Sequence, residues 1–455
     1  MVSSIDRIKE QKREMILRHA QADDVRALAQ VLTALTGLAI LWWMAVRSVD
    51  VSRWLTALAI FLISLFALRI FVLMHECGHG SLFRTQSLNR AFGFVLGVIS
   101  GMPQYVWSKH HHFHHANNGD WDKYRGLYTT LSADEYEALT ETQQLLYRLK
   151  CSIAAAPIAG LIYVVFNPRF NWLKGSIGLL RHIVKGKIAN PDQSIHALVA
   201  SYETRYWQSP REYWHMTWNN VALLSIWAIM CWACGPARFF TIYLISTSMA
   251  GAAGIILFTV QHNFAHSYAS DTSHWDYDMG VIKGSSFLIL PGWLNWFTAN
   301  IAYHHVHHLS AKISNYCLVA CHNEYAHLFP AVTRVTLSQI PAALKYILWD
   351  KRTQQIILGR RVSAADEPGG YADTGGRRAS HPDFHPPRQR RSLLCPTAPI
   401  LSKIRPYAHV VRPARPPAAN TLAPAQSLSC QSEHRLKRSL RCFFCGVRDA
   451  GAVQY

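Results

Sequence analysis

Histidine accounts for 24 of the 455 residues, and 13 of these fall in four short windows. His75 and His79, in His75-Glu76-Cys77-Gly78-His79, are four apart, which on a helix puts both imidazoles on one face. His111, His114 and His115 stand at i, i+3 and i+4 inside a run where five of six residues are histidine. His304, His307 and His308 repeat that spacing. The fourth window, Gln261 to His266, adds His262 as a ninth imidazole and His266 as a possible further one. Taken alone, the first window matches the H-E-x-x-H signature of a zinc protease with Glu76 as base. A zinc site closes at four ligands, however, so eight or nine neutral imidazoles imply two metal ions with four or five protein ligands each. Imidazole suits iron, copper, nickel and zinc alike. Iron is the best candidate, because two irons take dioxygen through a four-electron reduction and leave an oxidant able to break an unactivated C–H bond. Soluble di-iron bundles rely on Glu and Glu-x-x-His. That pattern is absent here, and histidine takes nearly every place.

Apolar runs long enough to cross a bilayer must carry these windows. Ala27 to Val46 is uncharged, and Trp54 to Met74 is broken only by Arg69 and ends beside the first window. Met216 to Ala237 and Phe239 to Gln261 are uncharged, the latter ending at His262. Each meets the requirement of about 20 apolar residues. The sequence thus predicts an all-α integral membrane protein with spans at about 27–46, 54–74, 216–237 and 239–261, paired as two helical hairpins. The chain opens with a charged stretch, Asp6 to Arg18, so residues 1–26 read as a cytoplasmic segment and no cleavable signal peptide is expected. Two shorter runs, Ala91 to Ser108 and Cys151 to Phe166, are interrupted by glycine and proline. All histidine windows can meet only if neither run crosses, so both are expected to be interfacial or re-entrant. The expected arrangement has four spans, both termini and every histidine window on the cytoplasmic side of a bacterial inner membrane, and a helical cap over the metals.

Composition supports this picture. Half the residues are apolar and only 16% are charged, which disfavours a soluble nucleic-acid binder. The net charge of +19 is uneven: residues 359–455 contribute +10 and hold 11 of the 20 prolines and no tryptophan. That segment reads as a basic, proline-rich disordered tail outside a membrane domain of residues 27–358. Cys442 and Cys445 form a lone C-x-x-C without a second pair, so no zinc site is expected there.

The three windows HxxxH, HxxHH and HxxHH resemble the histidine boxes of the membrane fatty acid desaturase family. The likeness extends to HECGHGS at 75–81, Trp107 four residues before His111, HHANNGDWD at 114–122, QHNF at 261–264 and NIAYHHVHHLSAKISNY up to Tyr316. It covers roughly residues 25 to 350 and is closest to the bacterial acyl-lipid branch. The resemblance implies iron ligation by His75, His79, His111, His114, His115, His304, His307 and His308, with His262 as the ninth ligand. His110, His112 and His305 fall between ligand positions. Relatives tend to have Ile-Pro-Asn-Tyr after the third box, whereas this chain has Ile313-Ser314-Asn315-Tyr316, without proline's fixed φ.

The resemblance implies that two hydrogens are removed from adjacent methylenes of an acyl lipid while O2 is reduced to water. The two electrons must come from outside, because the sequence has no GxGxxG, no haem-binding His-Pro-Gly-Gly and no ferredoxin cysteine spacing. A separate ferredoxin or cytochrome is implied. Arg169, Lys174, Arg181, Lys185 and Lys187 offer it a basic surface, and positive-inside topology explains them equally well. Three other readings stay open: a di-iron hydroxylase of the same superfamily, an intramembrane zinc protease using His75, Glu76 and His79, and a metal transporter.

Overall fold

The structure is a computed structural model that describes residues 4–126 and 129–359. The tail beyond Gly359, including the Cys442 and Cys445 pair, lies outside the described residues. The architecture is predominantly helical. An N-terminal helix, α1 (Ser4–His19), precedes α2 (Asp24–Ser48) and α3 (Arg53–His79). Asp23 caps α2 by accepting from the backbone N–H of Val25 and Arg26, and Ser52 caps α3 through Leu55. A second long hairpin is formed by α7 (Pro210–Cys234) and α8 (Pro236–His262). Between them Gly235 holds φ at +82°, open to glycine, and Pro236 begins the next helix where its missing N–H costs nothing. Arg238 bridges to Asp50 at 3.0 Å, so the turns of the two hairpins meet at one end of the bundle. The histidine-bearing ends of α3 and α8 meet at the other.

These four helices overlap the four runs expected to span; the third begins six residues before its run, at Pro210, and ends three short of Ala237, at Cys234. The run from Ala91 to Ser108 behaves as expected: it is divided into α4 (Gln86–Ile99) and α5 (Gln104–Asn117), neither long enough to span. Gly101, at φ +73°, makes the reversal between them. Close approach fixes the hairpin against α3, because a Cβ on Gly93 would meet the Cys77 Cβ at 3.1 Å and one on Gly97 the Met102 carbonyl at 2.7 Å.

The run from Cys151 to Phe166 behaves differently: it continues as one helix where a reversal was expected, which leaves the expectation that it does not cross untouched. It opens a continuous helical element, α6 (Ile153–Ala189), a fifth element long and apolar enough to cross a membrane. A π-helical turn at Ile162–Phe166 absorbs the register change before Pro168. Pro168 has no N–H for the carbonyl of Val164. The guanidinium of Arg169 donates instead to the carbonyls of Val164 and Val165, each at 3.1 Å, and to that of Gly101. It also reaches Asn220 Oδ1 at 3.0 Å and Asn219 Oδ1 at 2.8 Å on α7. Arg169 therefore faces inward and is not part of a basic docking surface. Lys174, Arg181 and Lys185 are exposed.

The cap at the histidine end is also less purely helical than expected. Strand β1 (Leu131–Ser132) pairs parallel with β4 (Tyr346–Asp350), which pairs antiparallel with β5 (Gln355–Leu358). Strands β2 (Phe287–Ile289) and β3 (Arg334–Thr336) form a second, parallel pair. Their short alternations of β-branched and aromatic residues are hard to tell from helix in an apolar chain. Helix α1 closes the cap. Ile8 and Met15 are fully buried in a cluster with Val306, Leu309, Ile313 and Leu318, and Lys9 and Lys12 pair with Asp276 and Asp278 at 2.9 and 2.8 Å.

Candidate metal centre

Three helices and one short segment bring nine histidines to a single buried place. His75 and His79 occupy the last turns of α3, which Gly80 ends in the left-handed conformation at φ +68°. His111, His114 and His115 lie on α5, and His304, His307 and His308 on the six-residue helix α9 (His304–Leu309). His262 is the last residue of α8.

The nine separate into two groups. His75, His79, His111, His115 and His307 form one, and His114, His262, His304 and His308 the other; within each, the ligand atoms lie within 4.8 Å of one another. The first group converges through Nε2 atoms. His75 Nε2 is 2.7 Å from His111 Nε2 and 3.2 Å from His79 Nε2, and His115 Nε2 is 3.0 Å from His111 Nε2 and 3.1 Å from His307 Nε2. In the second, His304 Nε2 is 2.8 Å from His262 Nε2. The groups adjoin through His115 and His308, whose rings stack at 4.2 Å.

Nitrogens packed this way suit a cation. Both ring nitrogens of His114 and of His308 are buried without a hydrogen-bond partner among the described residues, an expensive condition unless a metal takes the lone pair. Burial, with neighbouring imidazoles adding to it, holds His111, His114, His115, His304, His307 and His308 well below the ordinary imidazole range. They are neutral at physiological pH, the form that ligates a metal.

The remaining candidates fall outside both groups. His266 is exposed and its Nδ1 lies 3.0 Å from Gln355 Oε1. His112 Nδ1 donates to the Ser108 carbonyl at 2.6 Å, and His305 pairs with His322 at 2.9 Å. Supporting residues surround the two groups: Glu76, which the sequence singled out only as a protease base, and Asn315, Phe258 and Tyr124, which it did not place at the site. Glu76, fully buried, places Oε1 3.1 Å from His75 Nδ1, while its Oε2 accepts from the Asn315 N–H at 3.0 Å. Phe258, four residues before His262, and Tyr124 pack against the His114 ring at 5.0 and 4.8 Å. The spacing from Phe258 to His262 was a legible signal; Tyr124 and Asn315 reach the site only through the tertiary fold.

The family model for fatty acid desaturases matches residues 52–339. The chain belongs to the fatty acid desaturase family. A fatty acid desaturase of Bacillus subtilis (strain 168) is 32% identical over 78% of this chain and 92% of its own length. A chloroplastic omega-3 fatty acid desaturase of Sesamum indicum is 25% identical over 55% of this chain and half of its own. An sn-1 acyl-lipid omega-3 desaturase (ferredoxin) of Synechocystis is 33% identical over 20% of this chain and 24% of its own. This desaturase is an oxidoreductase of a membrane-bound family, with histidine clusters that fit a metal centre.

Proposed function

We propose that this desaturase holds one iron in the five-histidine group and a second in the four-histidine group, and inserts a double bond into the acyl chain of a membrane lipid. The observation that carries the reading is the partition of nine histidines, eight buried and His79 half-buried, into two adjoining groups with orphaned ring nitrogens. The bound irons supply O2 activation, with two hydrogens leaving adjacent methylenes and O2 ending as two waters once two electrons and two protons have been added. The chain's own contribution is a dry, preorganised ligand set between α3, α5, α8 and α9. A separate ferredoxin-type or cytochrome donor supplies the electrons, a reading supported by the ferredoxin named for the Synechocystis relative. The protease alternative loses support because Glu76 contacts the Nδ1 edge of His75, opposite the converging Nε2 atoms. Iron analysis and fatty acid methyl ester profiling of a desaturase-deficient host test the proposal. About two irons per chain and a new unsaturated ester are expected; one zinc, or an unchanged ester profile with iron bound, overturns it.

The same geometry supports four spans. Three apolar elements, α6, α7 and α8, lie between His115 and His262, yet both histidines reach one site. An even number of crossings must separate them, so one of the three does not cross. Helix α6 is the exception, because from Asn167 onward it reads as a membrane-surface helix. Phe170, Leu173, Ile177, Leu180, Val184 and Ile188 form an exposed stripe at helical spacing, and Lys174, Arg181 and Lys185 flank it. Its opposite face, Gly175, Gly178 and Gly186, is covered by Trp207, Tyr202 and Leu198. Exposed Trp54 and Trp232 mark the far membrane boundary and Trp214 and Trp218 the near one. The far turns are flanked by Arg47, Arg53 and Arg238 and hold no lysine, whereas the histidine end carries Lys9, Lys12, Lys109, Lys123, Lys283, Lys312 and Lys345 besides its arginines. This asymmetry supports a cytoplasmic histidine end in a bacterial inner membrane.

A further inference from the structure

The two histidine groups are backed differently. Glu76 lies one residue beyond His75, and its Oε1 sits 3.1 Å from His75 Nδ1 and 3.8 Å from His307 Nδ1. Both histidines belong to the five-membered group. The other carboxylate oxygen accepts from the Asn315 N–H at 3.0 Å and from Ser81 Oγ at 3.2 Å. Ser314 Oγ in turn donates to the Ser81 carbonyl at 2.6 Å, and Asn315 Nδ2 to Gln30 Oε1 at 2.8 Å. The carboxylate is thus pinned by α2, by the turn after α3 and by the turn after α9. Its recorded ion-pair partners among the described residues are the two imidazoles, with no lysine or arginine. A buried carboxylate in that position is costly unless positive charge lies beyond the rings it faces.

The four-histidine group has no such backing. His262 Nδ1 lies 2.9 Å from the neutral carbonyl of Gly284. The Nδ1 atoms of His114, His304 and His308 are buried among the described residues with neither a hydrogen-bond partner nor a carboxylate against them, whereas those of His75 and His307, which like Glu76 Oε1 also make no hydrogen bond, face that carboxylate as ion pairs. A carboxylate behind a ligating imidazole raises its basicity and fixes its orientation, and losing such a partner typically costs about 10–100-fold in metal affinity.

We propose that Glu76 is a positioning carboxylate for the five-histidine group alone, so that the two iron positions are unequal and the four-histidine position empties first. This rests on the two-iron reading above. It also gives the Glu of H-E-x-x-H a role other than that of a base, because the carboxylate faces the side of His75 remote from the converging nitrogens.

The test is iron release from the purified, fully loaded chain into a ferrous chelator, followed by metal analysis. The unaltered protein should lose its irons in two phases. Glu76→Gln, which keeps the shape and hydrogen bonds but removes the charge, should accelerate the slow phase by about 10–100-fold and leave the fast phase unchanged. Glu76→Asp should restore much of the retention. In a His304→Ala background, where one slowly released iron is expected, adding Glu76→Gln should accelerate its release. In a background with both His75→Ala and His307→Ala, where Glu76 faces no imidazole, the same addition should change release by less than about twofold. Slow-phase release from Glu76→Gln at the unaltered rate, or equal acceleration of both phases, overturns the proposal. If Glu76→Gln is not recovered from membranes, Glu76→Asp decides: its shortened carboxylate must release the slow iron at least a few-fold faster, and an unaltered rate overturns the proposal. Fewer than two irons in the unaltered protein sinks the two-iron reading itself, and does so before any variant is made.

Discussion

Each histidine of the two groups has a defined neighbourhood, and its removal has a defined expected consequence. His114, His262, His304 and His308 changed singly to alanine should each reduce bound iron to about one per chain and product to below a tenth, because a four-ligand position has no spare donor. Several such variants retaining more than a tenth of the activity would contradict the assignment. His266→Ala should keep both irons and full activity, since its ring is exposed and bonded to Gln355. His305→Ala is a different case. It should retain iron yet destabilise the protein by about 1–3 kcal/mol, by leaving His322 Nδ1 buried without its partner; thermal unfolding in detergent beside iron analysis separates the two effects.

Among the elements, α6 carries the most exacting local chemistry. Arg169→Gln should lower the thermal midpoint markedly, because the carbonyls of Gly101, Val164 and Val165 lose a donor together, and Arg169→Lys should not restore it, since a single ammonium lacks the planar fork. A midpoint for Arg169→Lys within about one degree of the unaltered protein would refute this. Gly160→Leu should be at least as damaging, as even a Cβ there would lie 2.4 Å from the Gly251 carbonyl carbon of α8. These contacts show where sequence reasoning reached and where it stopped. Apolar runs of about 20 residues, one of them broken by Arg69, announced the four long helices, and imidazole spacing announced eight of the nine histidines that the fold brings together, because both signals are local. Pro157 and Gly160 looked like a reversal because their usual effect is to break helices. A distant guanidinium and a partner glycine decided otherwise. The pairing of β4 was hidden for a related reason, since its partner Leu131 lies 217 residues before Leu348 (348 − 131).

For the whole molecule, the arrangement with four crossings predicts a labelling pattern. Single cysteines placed at Asn117 and Asn190 in a cysteine-depleted variant should resist a membrane-impermeant thiol reagent applied to intact cells, and one at Val51 in the α2–α3 turn should react. Labelling at Asn190 would mean that α6 crosses, and the parity of the site would fail with it. Truncation after Gly359 should leave iron content and product unchanged, because the Gly359 N–H already closes onto the Lys345 carbonyl at 3.0 Å and the segment beyond lacks an apolar periodicity with which to dock. Loss of activity in a normally inserted truncation would assign that segment a role.

The seat of α1 beneath the third histidine box has a consequence in time. Ile8 and Met15 leave the ribosome first, but Ile313 and Leu318, which cover them, follow about 300 residues later. At roughly 5–20 residues per second this is an interval of about 15–60 s. Throughout it the apolar side of α1 is uncovered, and His75 and His79 wait for His307. The five-histidine group is therefore complete only after the long apolar helices have been made, and the seat of α1 is completed at the same late stage.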